Sequence, residues 1–223
     1  MSHPIPFIIL THQRSGSNLL RRSLGKHPWI QSGAELFQRR SPDVKEAAVR
    51  GFSDPGAVRG AVGFTVHYDH FNTNPELLTL LAEWPGLRVI SCHRLNMLRR
   101  YLSWLVAQQT GTYVSLYPTG KEPIPVKIDP REMVYDFQQR QLQEARIDRQ
   151  LRQSLRLTLT YEMLSDHFPE TMLQLQRFLN VPVMHLTPAC DKLEQRTLRE
   201  AISNYDELKA LLQGSSWAEY FDE

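Results

Sequence analysis

Short continuous apolar runs alternate along the chain with stretches whose apolar residues recur every three or four positions. Pro6-Phe-Ile-Ile-Leu-Thr11 is a run of the first kind, with the length and composition of a parallel strand buried on both faces. Residues 60–68 (Gly-Ala-Val-Gly-Phe-Thr-Val-His-Tyr), Leu87–Cys92 and Leu155–Tyr161 repeat the pattern and predict three further strands. Between them lie helical stretches. Leu19–Lys26 places Leu20 and Leu24 one turn apart, and Pro75–Trp84 is opened by one proline and closed by Pro85-Gly86. Leu95–Gln109 gathers Leu98, Leu102 and Leu105 on one side and stops at Gly111. Asp129-Pro-Arg-Glu132 is a helix start, with a cap, a proline at the first helical position and an acid three residues on. Phe168, Met172, Leu175 and Leu179 predict another amphipathic helix, and Asp206–Leu212 a last one before an aromatic tail of Trp217, Tyr220 and Phe221. Thr112–Ile128 shows no period and is long for a connection, which predicts a functional lid. Strand, glycine-containing turn and helix at the start, then alternation, predict an α/β protein. The expected form is a P-loop-like three-layer fold with a central, mostly parallel sheet flanked by helices.

With 223 residues, 41% of them hydrophobic, the chain suits one core, so a single domain over residues 1–223 is expected. A net charge of +2 without a basic tail argues against bulk nucleic-acid binding and makes any anion site local. Cys92 and Cys190 lack metal-ligand spacing and suggest no disulfide framework. The run Ile5–Leu10 is too short to span a bilayer and lacks the flanks of a secretory leader. The histidines form no metal motif, so the expectation is a metal-free, cytoplasmic protein without an integral membrane segment.

The first strand runs into His12-Gln-Arg-Ser-Gly-Ser-Asn18 and then a helix. A helix N-terminus behind a small-residue turn offers free N–H groups and about half a positive charge, which makes an anion site. Here Gly16 permits close approach, Ser15 and Ser17 supply hydroxyls, and Arg14 neutralises charge. The alternative is an ordinary turn with a solvated arginine. The nucleotide-kinase pattern of Gly-Lys before a hydroxyl residue is absent, and the strand Leu87–Cys92 ends in His93-Arg94 where a metal-binding acid would stand. A basic strand end attracts phosphate and repels a cation. Beyond Arg94, Asn96, Arg99, Arg100 and Ser103 recur at helical spacing opposite the leucine stripe, as a second phosphate clamp or as a solvated face.

These segments carry a family resemblance. Phe7–Leu20 resembles the 5′-phosphosulfate loop of sulfotransferases that use 3′-phosphoadenosine 5′-phosphosulfate (PAPS), and His93-Arg-Leu-Asn96 through Ser103 resembles their 3′-phosphate motif. Trp84-Pro-Gly-Leu-Arg-Val-Ile, Arg94-Leu-Asn and Ala107-Gln-Gln-Thr-Gly111 look like the bacterial carbohydrate sulfotransferases, which include nodulation-factor and trehalose enzymes. Tyr161-Glu162-x-Leu164, Phe178-Leu179 and Ser203–Leu208 extend the likeness over nearly the whole chain. The resemblance implies a PAPS co-substrate, no metal and a carbohydrate or glycolipid acceptor. It implies that Arg14, Ser15, Gly16, Ser17 and Asn18 hold the 5′-phosphosulfate and that Arg94 and Ser103 hold the 3′-phosphate. Lys192 and Arg196 stand where the family closes a basic segment over the nucleotide.

Ser32-Gly-Ala-Glu-Leu-Phe37 looks like the segment that carries the family's catalytic glutamate, which points to Glu35. It deprotonates an acceptor hydroxyl if burial raises its pKa; the other reading is a surface glutamate capping a helix. His67 and His70 are rival bases. Thr65 stands where relatives often have lysine, so one positive charge is missing from the expected set. Two other functions stay open at this stage: a metal-dependent nucleotide or sugar kinase, and a non-catalytic nucleotide-binding module whose Glu35 and histidines point away from the pocket.

Overall fold

The computed structural model describes residues 4–53, 60–113, 120–121, 123–190 and 196–222. Contacts group the chain into two compact units, residues 1–93 with 143–189 and residues 94–142 with 190–223. The strands are β1 (Ile5–Thr11), β2 (Ile30–Glu35), β3 (Ala61–His67), β4 (Arg88–His93) and β5 (Leu155–Thr160). The helices are α1 (Ser17–Leu24), α2 (Val44–Phe52), α3 (His70–Thr73), α4 (Glu76–Ala82) and α5 (Met97–Thr110). They continue with α6 (Pro130–Gln150), α7 (Tyr161–Asp166), α8 (Phe168–Phe178), α9 (Leu198–Ala201) and α10 (Tyr205–Leu212).

All five strands belong to the first unit and form one parallel sheet in the order β2-β3-β1-β4-β5. The apolar run of β1 takes the centre, buried on both faces: Phe7, Ile8, Ile9 and Leu10 are all 0% exposed. Successive side chains of a strand point to opposite faces. Ile8 and Leu10 therefore join Phe64, Val66 and Val89 beneath α2, α4 and the end of α6, whereas Phe7 and Ile9 join Ile90, Cys92 and Leu159 beneath α1, α7 and α8. That makes helix, sheet and helix layers, as the alternation of elements predicts.

Two elements escape the hydrophobic pattern. Strand β2 has Ile30 as its only fully buried residue and a register shift between Gly33 and Glu35, so pairing with β3 makes it a strand where periodicity cannot. Helix α2 buries a narrow Val44, Ala47 and Ala48 face; its Asp43 cap accepts from Glu46 N–H at 2.7 Å. Tyr161, expected to end a strand, opens α7, capped by Thr160, which accepts from Met163 N–H at 3.1 Å.

In the second unit, α5 packs with the first part of α6, α9 and α10 around Leu98, Tyr101, Leu102, Met133, Phe137 and Leu208. The polar face expected on α5 is not a solvated one. Arg100 is 3% exposed and paired with Asp136 of α6, which Arg140 also contacts at 3.0 Å. Burial pushes the Arg100 guanidinium down to about 9, Arg140 acts in the same direction, and Asp136 opposes both. This ion pair lets the polar α6 cover α5. Of the expected lid, only part lies within the described residues. Its end is tied down, Val126 bridging Ile202 and donating to Ala201 O at 2.9 Å. No helix among the described residues is long and apolar enough to cross a membrane.

Gly63 sits inside β3, where an added Cβ would run into the Phe7 carbonyl oxygen, a backbone atom of the neighbouring strand. Gly63→Ala is expected to lower unfolding stability by at least about 2 kcal/mol in a urea titration. A loss within about 0.5 kcal/mol would contradict this view of the β1–β3 approach.

Candidate active site

Parallel strands end together, and here the carboxyl edge of the sheet collects the polar groups of the first unit. Thr11 at the end of β1 donates to Cys92 O at 2.7 Å, which fixes the point where the chain leaves the sheet. It then turns through Arg14, at φ 67°, and Gly16, at φ 90°, into α1. A left-handed arginine is strained, and such strain persists where the surroundings enforce it. Gly16 tolerates no side chain, because a Cβ there would lie 2.8 Å from the Tyr161 ring. The buried Cys92 thiol donates to Ser15 O at 3.1 Å. Burial, aided by Glu162, pushes this thiol's pKa up and keeps its proton in place. Helix α1 has no side-chain cap and no acid in its first turn, so neither offsets the positive end of the helix. Ser15 and Ser17 are buried in the turn, and Asn18 accepts from Arg21 at 3.2 Å.

Glu35 ends β2 and does not cap a helix. Its Oε2 receives Gln38 Nε2 at 2.7 Å and lies 3.4 Å from His67 Nδ1 and 3.6 Å from His70 Nε2. The backbone N–H of His67 donates to His70 Nδ1 at 3.2 Å. His70 therefore carries a proton on Nε2, the nitrogen that faces Glu35. Burial acts to raise the Glu35 pKa, as expected from sequence, but the His70 hydrogen bond, the His67 charge and Gln38 outweigh it and bring it to about 2. Burial pushes His67 down to about 4, with Glu35 opposing and His70 adding to the effect. At neutral pH the cluster is a carboxylate facing neutral His67. Thr65, paired with Glu35 in the ladder, is 1% exposed, and its hydroxyl has no hydrogen-bond partner among the described residues.

Glu35, His67 and His70 hold their ligand atoms within 4.8 Å of one another, close enough for a metal. The hydrogen bonding suits a metal poorly. A histidine ligand donates its second N–H to an acceptor, and His70 Nδ1 instead meets the N–H donor of His67.

A second carboxylate was not foreseen. Glu144 on α6 places Oε1 3.0 Å from His12 Nε2 and 3.4 Å from His93 Nδ1, so an acid does reach the basic end of β4. Burial acts to raise its pKa, and the hydrogen bonds of His12 and His93 outweigh that to leave it at about 2. The His12 ring stacks on Tyr68 at 4.3 Å. A signal for Glu144 exists in the sequence. Ile147 and Leu151, three and seven residues on and both buried, share its helix face, so that face turns inward.

The structure thus gathers Arg14, Ser15, Gly16, Ser17 and Asn18 into one loop, and Glu35, His67 and His70 into one cluster. Arg94, Ser103 and Arg196 belong to the second unit. Ser103 is 7% exposed on α5, and Arg196 is anchored by its carbonyl to Arg99 at 2.6 Å and by its guanidinium to Pro123 O at 3.1 Å. Lys192 lies outside the described residues.

No family model matches the chain. Nodulation protein H of Rhizobium tropici is 26% identical over 234 residues, covering 98% of this chain and 94% of that protein. Nodulation protein H of Rhizobium meliloti is 25% identical over 237 residues, covering 98% and 96%. Among solved structures, a sulfotransferase from Alicyclobacillus acidocaldarius superposes with a TM-score of 0.59 at 16% identity, over 98% of this chain and 95% of its own. The chain is thus similar over nearly its full length to nodulation protein H, and it has the fold of solved sulfotransferases. The sulfotransferase domain of the curacin biosynthetic pathway shares the fold as well, with a TM-score of 0.52 at 18% identity over 82% of this chain and 76% of its own. The fold shared with these structures is the α/β one, a central parallel sheet flanked by helices.

Both low pKa values in the Glu35 cluster have the same sign for stability. A group whose folded pKa is depressed stabilises the fold above its unfolded pKa and loses that contribution as pH falls. For His67 the window runs from 6.5 to about 4, and for Glu35 from 4.5 to about 2. Unfolding titrations against pH are expected to lose the upper step in His67→Gln and the lower step in Glu35→Gln. Unchanged steps in both variants would contradict the coupling.

Proposed function

We propose that the protein transfers a sulfuryl group from PAPS to a hydroxyl of a carbohydrate or glycolipid acceptor and releases 3′,5′-ADP. The observation that carries this reading is the strained, uncapped turn into α1 at the same sheet edge as a carboxylate kept ionised by two histidines. A non-catalytic nucleotide-binding module gives no reason for Glu35, His67 and His70 to converge. The carbohydrate class of acceptor follows the sequence resemblance, whereas the single domain over residues 1–223, the cytoplasmic setting and the absence of a metal requirement follow the chain's length, its two cysteines and its lack of a metal motif.

In this mechanism the acceptor oxygen attacks sulfur in line with the leaving nucleotide. As the new S–O bond forms, the attacking hydroxyl becomes strongly acidic, so a weakly basic carboxylate suffices to take its proton. Glu35 takes that proton. His70 turns its Nε2 toward Glu35 at 3.6 Å, its Nδ1 being occupied by the His67 N–H, and so supports the base more readily than it replaces it. The old S–O bond breaks, and its electron pair leaves on the 5′-phosphate. The leading N–H groups of α1, Ser15, Ser17, Asn18 and Arg14 stabilise that charge without rearranging. The sequence resemblance assigns the 3′-phosphate to Arg94 and Ser103 and a basic segment over the nucleotide to Lys192 and Arg196.

Sulfuryl transfer from PAPS to a panel of sugars, together with 3′,5′-ADP calorimetry, tests these roles. Glu35→Gln is expected to lower turnover by about 10²–10⁴-fold and leave 3′,5′-ADP affinity in place. Arg14→Ala costs mainly turnover, about 10²-fold. Arg94→Ala costs mainly nucleotide affinity, about tenfold or more. Equal losses of affinity in Arg14→Ala and Arg94→Ala, with turnover spared, would overturn the division of labour.

A further inference from the structure

The cluster of His12, Glu144 and His93 has no part in the chemistry above, yet it is built with care. One carboxylate oxygen takes contacts from imidazoles on two neighbouring strands, at the two places where those strands end. His12 follows the last residue of β1 and stands two positions before the strained Arg14; His93 is the last residue of β4. The His12 ring is 6% exposed and is clamped between Glu144 and the face of Tyr68. Tyr68 is fixed in turn, its carbonyl accepting from Gln143 at 3.0 Å and its hydroxyl facing Asp148 at 3.4 Å.

We propose that Glu144 is a positioning residue for donor binding, acting through His12 to hold the start of the phosphosulfate loop. The far side of the loop is held by Cys92 on Ser15 and by the Tyr161 ring against Gly16. The near side has the Thr11–Cys92 hydrogen bond within the sheet and, beyond it, the His12 ring on Glu144. A left-handed Arg14 between two anchors stays in its strained state only while both hold. Glu144 suits the task because one carboxylate oxygen meets both imidazoles at once, at His12 Nε2 and His93 Nδ1, so each ring is expected to carry a proton on the nitrogen that faces it. A glutamine at this place has one acceptor oxygen and brings an N–H₂ group against one of two donors.

The proposal rests on the donor reading, and the test keeps the two apart. Calorimetry of 3′,5′-ADP on the full chain is run for the wild type, Glu144→Gln and Glu144→Asp, with ¹⁵N-imidazole spectra of His12 and thermal midpoints beside it. Expected are binding about tenfold weaker in Glu144→Gln, partial recovery in Glu144→Asp, and loss of the Nε2–H tautomer signature of His12 in Glu144→Gln at a similar midpoint. Wild-type affinity in a folded Glu144→Gln overturns the positioning role. A Glu144→Gln variant that fails to fold, paired with a folded Glu144→Asp that keeps the tautomer but shows no gain in affinity over a His12→Asn variant, overturns it too. No binding of 3′,5′-ADP by the wild type fails the donor reading itself.

Discussion

The parallel ladder that flanks β1 with β3 and β4 is the constraint on which the site depends. Because the strands run one way, their last residues meet at a single edge, and each hands the chain to a different polar group: the loop from β1, Glu35 from β2, His67 from β3 and His93 from β4. The ladder is held by apolar residues buried on both faces, which fixes its end points. Catalytic geometry of sub-ångström precision needs a support of this kind.

Placing charge at a buried edge has a cost that the fold meets in one recurring way. An isolated buried carboxylate is expensive, and one matched with hydrogen-bond donors is tolerable. Glu35 lies against His67 and His70, and Glu144 against His12 and His93. In each case burial acts to raise the pKa and the imidazoles reverse the outcome, so both carboxylates stay ionised through the physiological range. Arg100 and Asp136 apply the same pairing in the second unit.

Much of this was legible in the chain. Strong periodicity located β1, β3, β4, α5 and α8 to within a few residues, and the small residues of Arg14-Ser-Gly-Ser17 marked the turn between β1 and α1. Strand β2 was not legible because an edge strand with one buried aliphatic residue and a glycine bulge has no pattern of its own; β3 imposes its geometry. The low pKa of Glu35 was missed for a related reason. Burial is visible in a sequence, but the approach of His67 and His70 is a property of the β2–β3 pairing and the turn into α3. Glu144 lies more than a hundred residues from His12, so no local pattern records their approach, and the pairing of Arg100 with Asp136 across two helices was concealed in the same way.

On the function proposed, the loop before α1 holds a sulfated nucleotide donor without a metal. Calorimetry of 3′,5′-ADP against ATP, without and then with Mg²⁺, tests it most directly. The account predicts binding of 3′,5′-ADP that is indifferent to Mg²⁺ and tighter than that of ATP. Tight, Mg²⁺-dependent ATP binding with none for 3′,5′-ADP would contradict it.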